Sequence, residues 1–112
     1  MTGVQTCALP ISLQTQACWL LKEKGYRILE RNWRCPVGEI DIVARRGSMV
    51  VFVEVKTRRS LTYGVPREAV TSRKQQRIRK AAWYYIASHH LKIYDMRCDV
   101  IEIFINHLES AF

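Results

Sequence analysis

The sequence predicts an α/β domain with a mixed central sheet flanked by helices. Three observations lead there. The run 38–45 alternates imperfectly and the run 49–55 is nearly all apolar and rich in β-branched residues, and both patterns fit strands in a sheet covered on two faces. Leu13–Lys24 and Ser72–His89 carry apolar residues at helical spacing. An alternating run, R-C-D-V-I-E-I-F-I, occupies Arg97–Ile105 after the second helix. The order is therefore helix, three strands, helix, strand. The first three strands are expected to form an antiparallel meander, with the last joining through a crossover.

Each element has its own signals. Residues 1–12 fit nothing that follows and lack the basic start and long apolar run of a signal peptide. They are read as a foreign or disordered extension, with the domain spanning 13–112. In the first helix Leu13, Ala17, Leu20 and Leu21 share a face, and Gly25 is its C-cap. Tyr26–Arg31 is the first strand, with Trp33 as packing and a turn at Pro36-Val37-Gly38. Arg46-Gly47-Ser48 marks the reversal between the next two strands, because Gly accepts a positive φ. Thr57–Gly64 reads as a mobile loop and Pro66–Val70 as a short helical turn. Ser72 and Gln75 match a capping box. Ile78, Ala81, Ala82, Tyr85 and Ile86 form the second helix's apolar stripe, and His89 and His90 close its end. In the last strand Asp99 is expected to pair with Arg97.

Composition narrows the function. The 112 residues suffice for one domain with a real core, and 48% apolar content argues against disorder. The formal charge is +8, with a pI near 9.7. Between Lys56 and Lys80 stand nine Lys/Arg and a single acid, Glu68, so that stretch carries the whole excess. An acidic partner follows, nucleic acid first and an anionic membrane second. Cys7, Cys18, Cys35 and Cys98 are too far apart for a zinc site, and free thiols in a reducing cytoplasm are expected. No apolar run approaches the roughly 18–20 residues that span a bilayer.

The chemistry concentrates in the central hairpin. If the loop runs Arg46–Met49, Arg45 faces Val50 and Asp41 faces Glu54. Alternation then puts Glu39, Asp41, Glu54 and Lys56 on one face, and Ile40, Ile42, Val51, Val53 and Val55 on the other. Two carboxylates about 5 Å apart repel by roughly 3 kcal/mol at an effective dielectric of 20. They must share a proton, separate or gain a cation. A hard divalent ion suits them, because Mg²⁺ takes oxygen ligands and needs few carboxylates. Lys56 then places a positive charge where water or phosphate would sit. The competing reading is a surface ion pair of little worth. Asp41, Glu54 and Lys56 converging on one face of an apolar hairpin weigh against it.

These motifs resemble a known family. G-Y-R-I-L-E-R-N-W-R (Gly25–Arg34), G-E-I-D-I-V-A (Gly38–Ala44), V-F-V-E-V-K-T-R (Val51–Arg58), Y-G-V-P-R-E-A-V (Tyr63–Val70), Lys74, R-C-D-V-I (Arg97–Ile101) and the terminal H-L-E-S-A-F are similar to the YraN-type family of small bacterial proteins. These are endonuclease-like members of the PD-(D/E)XK superfamily, similar in layout to Holliday junction resolvases. The resemblance implies a restriction-endonuclease-like single domain that cuts DNA, branched or damaged DNA included, with Mg²⁺ or Mn²⁺. It implies Asp41, Glu54 and the Val55 carbonyl as metal ligands, Lys56 as the catalytic lysine, and Lys74 as a further site residue. The family's first helix usually supplies a Glu where this chain has Gln14; Glu39 is a candidate substitute. Arg58, Arg59, Arg73, Arg77 and Lys80 are the expected backbone contacts. A homodimer follows by analogy with resolvases. Two other classes remain open: a nucleic-acid-binding module that has lost its chemistry, and a basic scaffold for an acidic protein.

Overall fold

The computed structural model describes residues 12–59, 70–92, 95–105 and 109–110. The elements run α1 (Leu13–Glu23), β1 (Arg27–Cys35), β2 (Gly38–Arg46), β3 (Met49–Arg59), α2 (Ser72–Ser88) and β4 (Asp95–Ile105). The expected order is therefore observed. The sheet order is β1-β2-β3-β4, with β1, β2 and β3 antiparallel and β4 parallel to β3. No helix among the described residues is long and apolar enough to cross a membrane. Residues 1–11, 60–69 and 106–108 lie outside the described residues, and with them most of the expected N-terminal extension, loop and short helical turn.

The helix ends are set by side-chain and backbone chemistry. Ser12 caps α1 by accepting the Thr15 N–H. At the other end Gly25, at φ 87°, closes a Schellman motif: Tyr26 N–H donates to Leu21 O at 2.9 Å and Gly25 N–H to Lys22 O at 3.0 Å. For α2 the cap is Thr71, one residue before the expected Ser72. Thr71 is extended, and its hydroxyl accepts the Lys74 N–H, so it offers the same chemistry one step earlier. Gln75 donates instead to the Val70 carbonyl.

The two helices cover opposite faces of the sheet. Ala17, Cys18 and Leu21 of α1 pack with Ile42, Ala44, Val51 and Val53. Ala81, Ala82, Tyr85 and Ile86 of α2 pack with Ile40, Val43, Val50 and Phe52. Phe52, Ile42, Val43, Val50, Val51 and Val53 are fully buried, each contributing roughly 1.5–3 kcal/mol. Trp33 and Phe52 meet the Tyr85 ring edge-on, so Trp33 is packing, as expected. His89 stacks on Tyr85 and its Nδ1 lies 2.9 Å from the Tyr85 carbonyl, which makes it a helix-end contact.

Two strands extend further than their sequence pattern indicates. β1 continues to Cys35 because β2 supplies partners to its end, Trp33 with Ile40 and Cys35 with Gly38. β3 continues through Arg59 because β4 runs alongside, pairing Thr57 with Ile103 and Arg59 with Ile105. Thr57, Arg58 and Arg59 are thus strand, not loop.

Candidate metal and phosphate site

The β2–β3 register is the predicted one. Arg46 pairs with Met49, Arg45 with Val50 and Ile42 with Val53. The loop is Gly47-Ser48, with Gly47 at φ 60°, where only glycine is unstrained. The next positions outward are Asp41 and Glu54. Here the backbone ladder gives way to a side chain: Asp41 Oδ2 accepts the Val55 N–H at 2.8 Å. That bond fixes one carboxylate oxygen beside β3.

Alternation holds along β3. Val50 and Phe52 face α2 while Val51, Val53 and Val55 face α1. Glu54 and Lys56 accordingly share the α2 side. Along β2 it fails at one point. Ile40 packs on the α2 side with Val43, although alternation placed it with Ile42. The opposite stretch of β1 explains the break. Asn32 has φ 51°, so Arg31 and Asn32 both reach α1 while Trp33 turns to α2. Trp33 carries its partner Ile40 with it. Asp41 lies opposite Asn32, at the irregularity itself. In the sequence the local sign of it is the residue type, since Asn takes a positive φ more readily than most residues.

The charged groups converge as follows. Lys74 Nζ of α2 lies 2.5 Å from Glu54 Oε1. The Glu54 side chain is only 17% exposed, and its Oε2 is buried with no hydrogen-bond partner among the described residues. Asp41 is raised above the ordinary carboxylate range. Burial is the largest cause; the Val55 N–H opposes it; Glu54 and then Glu39 add repulsion, and Lys74 offsets some of it. Glu39, Ile40, Asp41, Val53, Glu54 and Ile78 line a cleft of about 20 Å³, room for one water-sized occupant.

The residues fit a hard cation in part. A buried carboxylate oxygen without a donor is costly unless something positive reaches it. Asp41 has one oxygen committed to Val55, leaving Oδ1. Although Glu39 also lines the cleft, no group of three or more His, Cys, Asp or Glu among the described residues is arranged to hold a metal ion by itself. Two carboxylates completed by carbonyl or water oxygens match Mg²⁺ or Mn²⁺ better than a cage for Ca²⁺ or a nitrogen–sulfur site for Zn²⁺.

The other expected residues fall into three groups. Lys56 lies two positions beyond Glu54 on the same face and makes no ion pair among the described residues. Glu39 lines the cleft but has Arg34 at 3.6 Å. Gln14 is engaged elsewhere: its amide accepts from Arg31 Nε and exchanges two hydrogen bonds with Asn32, at 2.8 and 3.0 Å. It supports the Asn32 irregularity behind Asp41 rather than contacting the carboxylates. Arg58 points its Nε at Glu102 Oε2, 3.9 Å away, both side chains mostly buried. It ties β3 to β4 more than it offers itself to a phosphate. The Arg59 side chain lies outside the described residues. Arg73, Arg77 and Lys80 are exposed on α2, with the Arg77 stem lying over Gly38, where an added Cβ would meet it at 3.2 Å. Arg97 grips Asp99 with two bonds of 2.7 Å and also reaches the Tyr26 hydroxyl, so Asp99 is a structural pair and not part of the cleft. Cys18, Cys35 and Cys98 are free thiols; Cys7 lies outside the described residues.

Comparison with known proteins shows what the chain is similar to. Residues 14–103 match the model of "Uncharacterised protein family UPF0102". A UPF0102 protein of Moorella thermoacetica is 49% identical over 98 residues, 88% of this chain and 82% of the relative. One from Clostridium acetobutylicum is 51% identical over 92 residues, 82% of this chain and 75% of the relative. One from Clostridium botulinum is 50% identical over 101 residues, 88% of this chain and 81% of the relative. This is the YraN-type family that the motifs resemble.

Proposed function

The chain belongs to the UPF0102 family, and on that footing we propose that it is a divalent-metal-dependent endonuclease acting on DNA. The observation that carries the proposal is the cleft that Asp41 and Glu54 both line, where Glu54 Oε2 is buried with no hydrogen-bond partner among the described residues. The basic stretch beside it supports a phosphodiester substrate.

In this reading Asp41 and Glu54, with the Val55 carbonyl, hold Mg²⁺ or Mn²⁺. When bound, the ion supplies Lewis-acid polarisation of a phosphoryl oxygen. Val55 N–H keeps Asp41 oriented so that one oxygen stays available. Lys56 Nζ orients water or takes its proton on the same face. Lys74 neutralises Glu54 in the resting protein and is positioned to offset phosphate charge. Arg73, Arg77 and Lys80, with Arg59 at the end of β3, hold the backbone without reading bases. Action on both strands of a branched DNA calls for two copies, so a homodimer in the bacterial cytoplasm is part of the proposal.

The test is Mg²⁺-dependent cutting of duplex, junction and single-stranded DNA by wild type, Asp41→Ala and Lys56→Ala. The wild type cuts at least one substrate; both variants bind but do not cut. Equal cutting by all three sinks the proposal. A second reading, a nucleic-acid-binding module without chemistry, is favoured by one observation: Gln14 spends its amide on Arg31 and Asn32 and leaves the site with two carboxylates. Calorimetry with Mn²⁺ separates them, since the module binds no divalent ion.

A further inference from the structure

The outer flank of α2 carries a pattern that phosphate binding alone leaves unexplained. Arg73, Arg77, Lys80 and Tyr84 recur at intervals of four, three and four, so they form one stripe. Trp83 lies beside its lower end. Both aromatics are conspicuously open, Trp83 60% and Tyr84 48% exposed. They form one wall of an open groove with Lys80, Ala87 and Ser88, and Val37 of the β1–β2 turn forms the other. The core does not need either ring: Ala81, Ala82, Tyr85 and Ile86 already fill the side facing the sheet. Exposing a Trp and a Tyr side by side next to an apolar floor is costly unless something covers them.

The charge on the helix selects the occupant. α2 has five Lys/Arg and no acid. A second copy docking through this face about a two-fold axis would bring six cations together, Arg73, Arg77 and Lys80 of each copy, which like-charge repulsion opposes. A ligand that alternates negative charge with flat apolar rings satisfies both parts of the surface. Phosphates match the Arg73–Arg77–Lys80 row, and unpaired bases match the aromatic faces, which accept any base. A duplex hides its base faces inside the stack and leaves the two rings uncovered. Ten residues of helix separate Lys74, at the carboxylate cleft, from Tyr84, a distance of about 15 Å.

We propose that Trp83 and Tyr84, with Val37 and Lys80, form a stacking subsite for unpaired bases, so that single-stranded nucleic acid lies along α2 with its backbone on Arg77 and Arg73. The subsite rests on the nucleic-acid part of the function above, and not on metal binding or hydrolysis.

The experiment measures binding without divalent ions, in EDTA, by fluorescence anisotropy. Probes are a labelled oligothymidylate and a hairpin duplex with the same number of phosphates. Variants are Trp83→Leu, Trp83→Phe and Tyr84→Leu, each checked for fold by circular dichroism. Loss of a stacked base costs about five- to 150-fold in affinity. Trp83→Leu and Tyr84→Leu are expected to weaken oligothymidylate binding by at least about fivefold and duplex binding by less than about twofold. Trp83→Phe, which keeps a ring, is expected to restore most of it. Equal losses on both probes, or none on either, overturn the subsite. So does a dimer in sedimentation that Trp83→Leu dissolves, or an acidic polypeptide that competes as well as the oligonucleotide. A wild type that binds neither probe removes this inference and the proposed function together. Loss of single-strand binding in Trp83→Leu, with no metal-dependent cutting by wild type, removes only the function.

Discussion

Replacing Asp41 by Asn should make the protein more stable, and the gain should depend on pH. Asn keeps an oxygen to accept the Val55 N–H at 2.8 Å and discards the charge. That charge is disfavoured by burial and by Glu54 and Glu39, with partial relief from Val55 and Lys74. Two bare carboxylates at about 5 Å would repel by roughly 3 kcal/mol. Lys74 at Glu54 and the half-exposed surroundings of Asp41 screen most of this, leaving about 1 kcal/mol. For a domain of this size that is a rise of about 4 °C in Tm. The sign with pH follows from linkage. A carboxyl raised in the folded state contributes stability that is complete below its unfolded value, near 3.8, and is lost as pH rises through the folded value. The gap between variant and wild type should therefore be small below the unfolded value and widen as pH rises through the folded one. Added Mg²⁺ should reverse the order, because a ligand at a hundred times its Kd stabilises by about 2.7 kcal/mol and only the wild type keeps both carboxylates. Differential scanning calorimetry from pH 3 to 8 reads all of this. A variant less stable than wild type at pH 7, or a gap that ignores pH, refutes the crowded-carboxylate argument.

Other outcomes follow from the same geometry. Lys74→Met removes the cation from a mostly buried Glu54 and should destabilise by about 1–2 kcal/mol in chelator, between the exposed and buried limits for an ion pair; Mn²⁺ should recover the loss, and chemical denaturation with and without the ion measures it. Gly25→Ala forces a β-carbon into φ 87° and should cost about 1 kcal/mol in the denaturation midpoint, although Arg46 leaves ordinary room at 3.6 Å. Glu54→Gln should abolish Mn²⁺ binding by calorimetry while leaving DNA binding in chelator within about threefold of wild type, because the base-independent contacts lie on α2.

Much of the fold is readable because its signals are local. The Gly47-Ser48 reversal sets the β2–β3 register, and that register runs out to Ile42–Val53, just short of Asp41 and Glu54. Gly25 announces the end of α1 through its backbone conformation. What escapes the sequence is what depends on partners distant along the chain. Ile40 follows Trp33 to the α2 side because Asn32 breaks alternation in the neighbouring strand. Arg58 belongs to a strand because β4, more than 30 residues later, lies beside it. Gln14 turns to Arg31 and Asn32, a choice made by tertiary geometry that helical periodicity does not encode. Lys74, marked out in the sequence only by the family resemblance, is the residue whose ammonium meets Glu54. Trp83 is off the apolar stripe by helical counting, yet that position alone does not reveal the groove it shares with Val37.

The most direct test is a crystal soaked in Mn²⁺ and measured at the manganese edge. An anomalous peak within coordination distance of both Asp41 and Glu54, with the Lys74 ammonium moved off Glu54, is the expected result. No peak there at saturating Mn²⁺, with Lys74 still on Glu54, contradicts a divalent-cation site in this cleft.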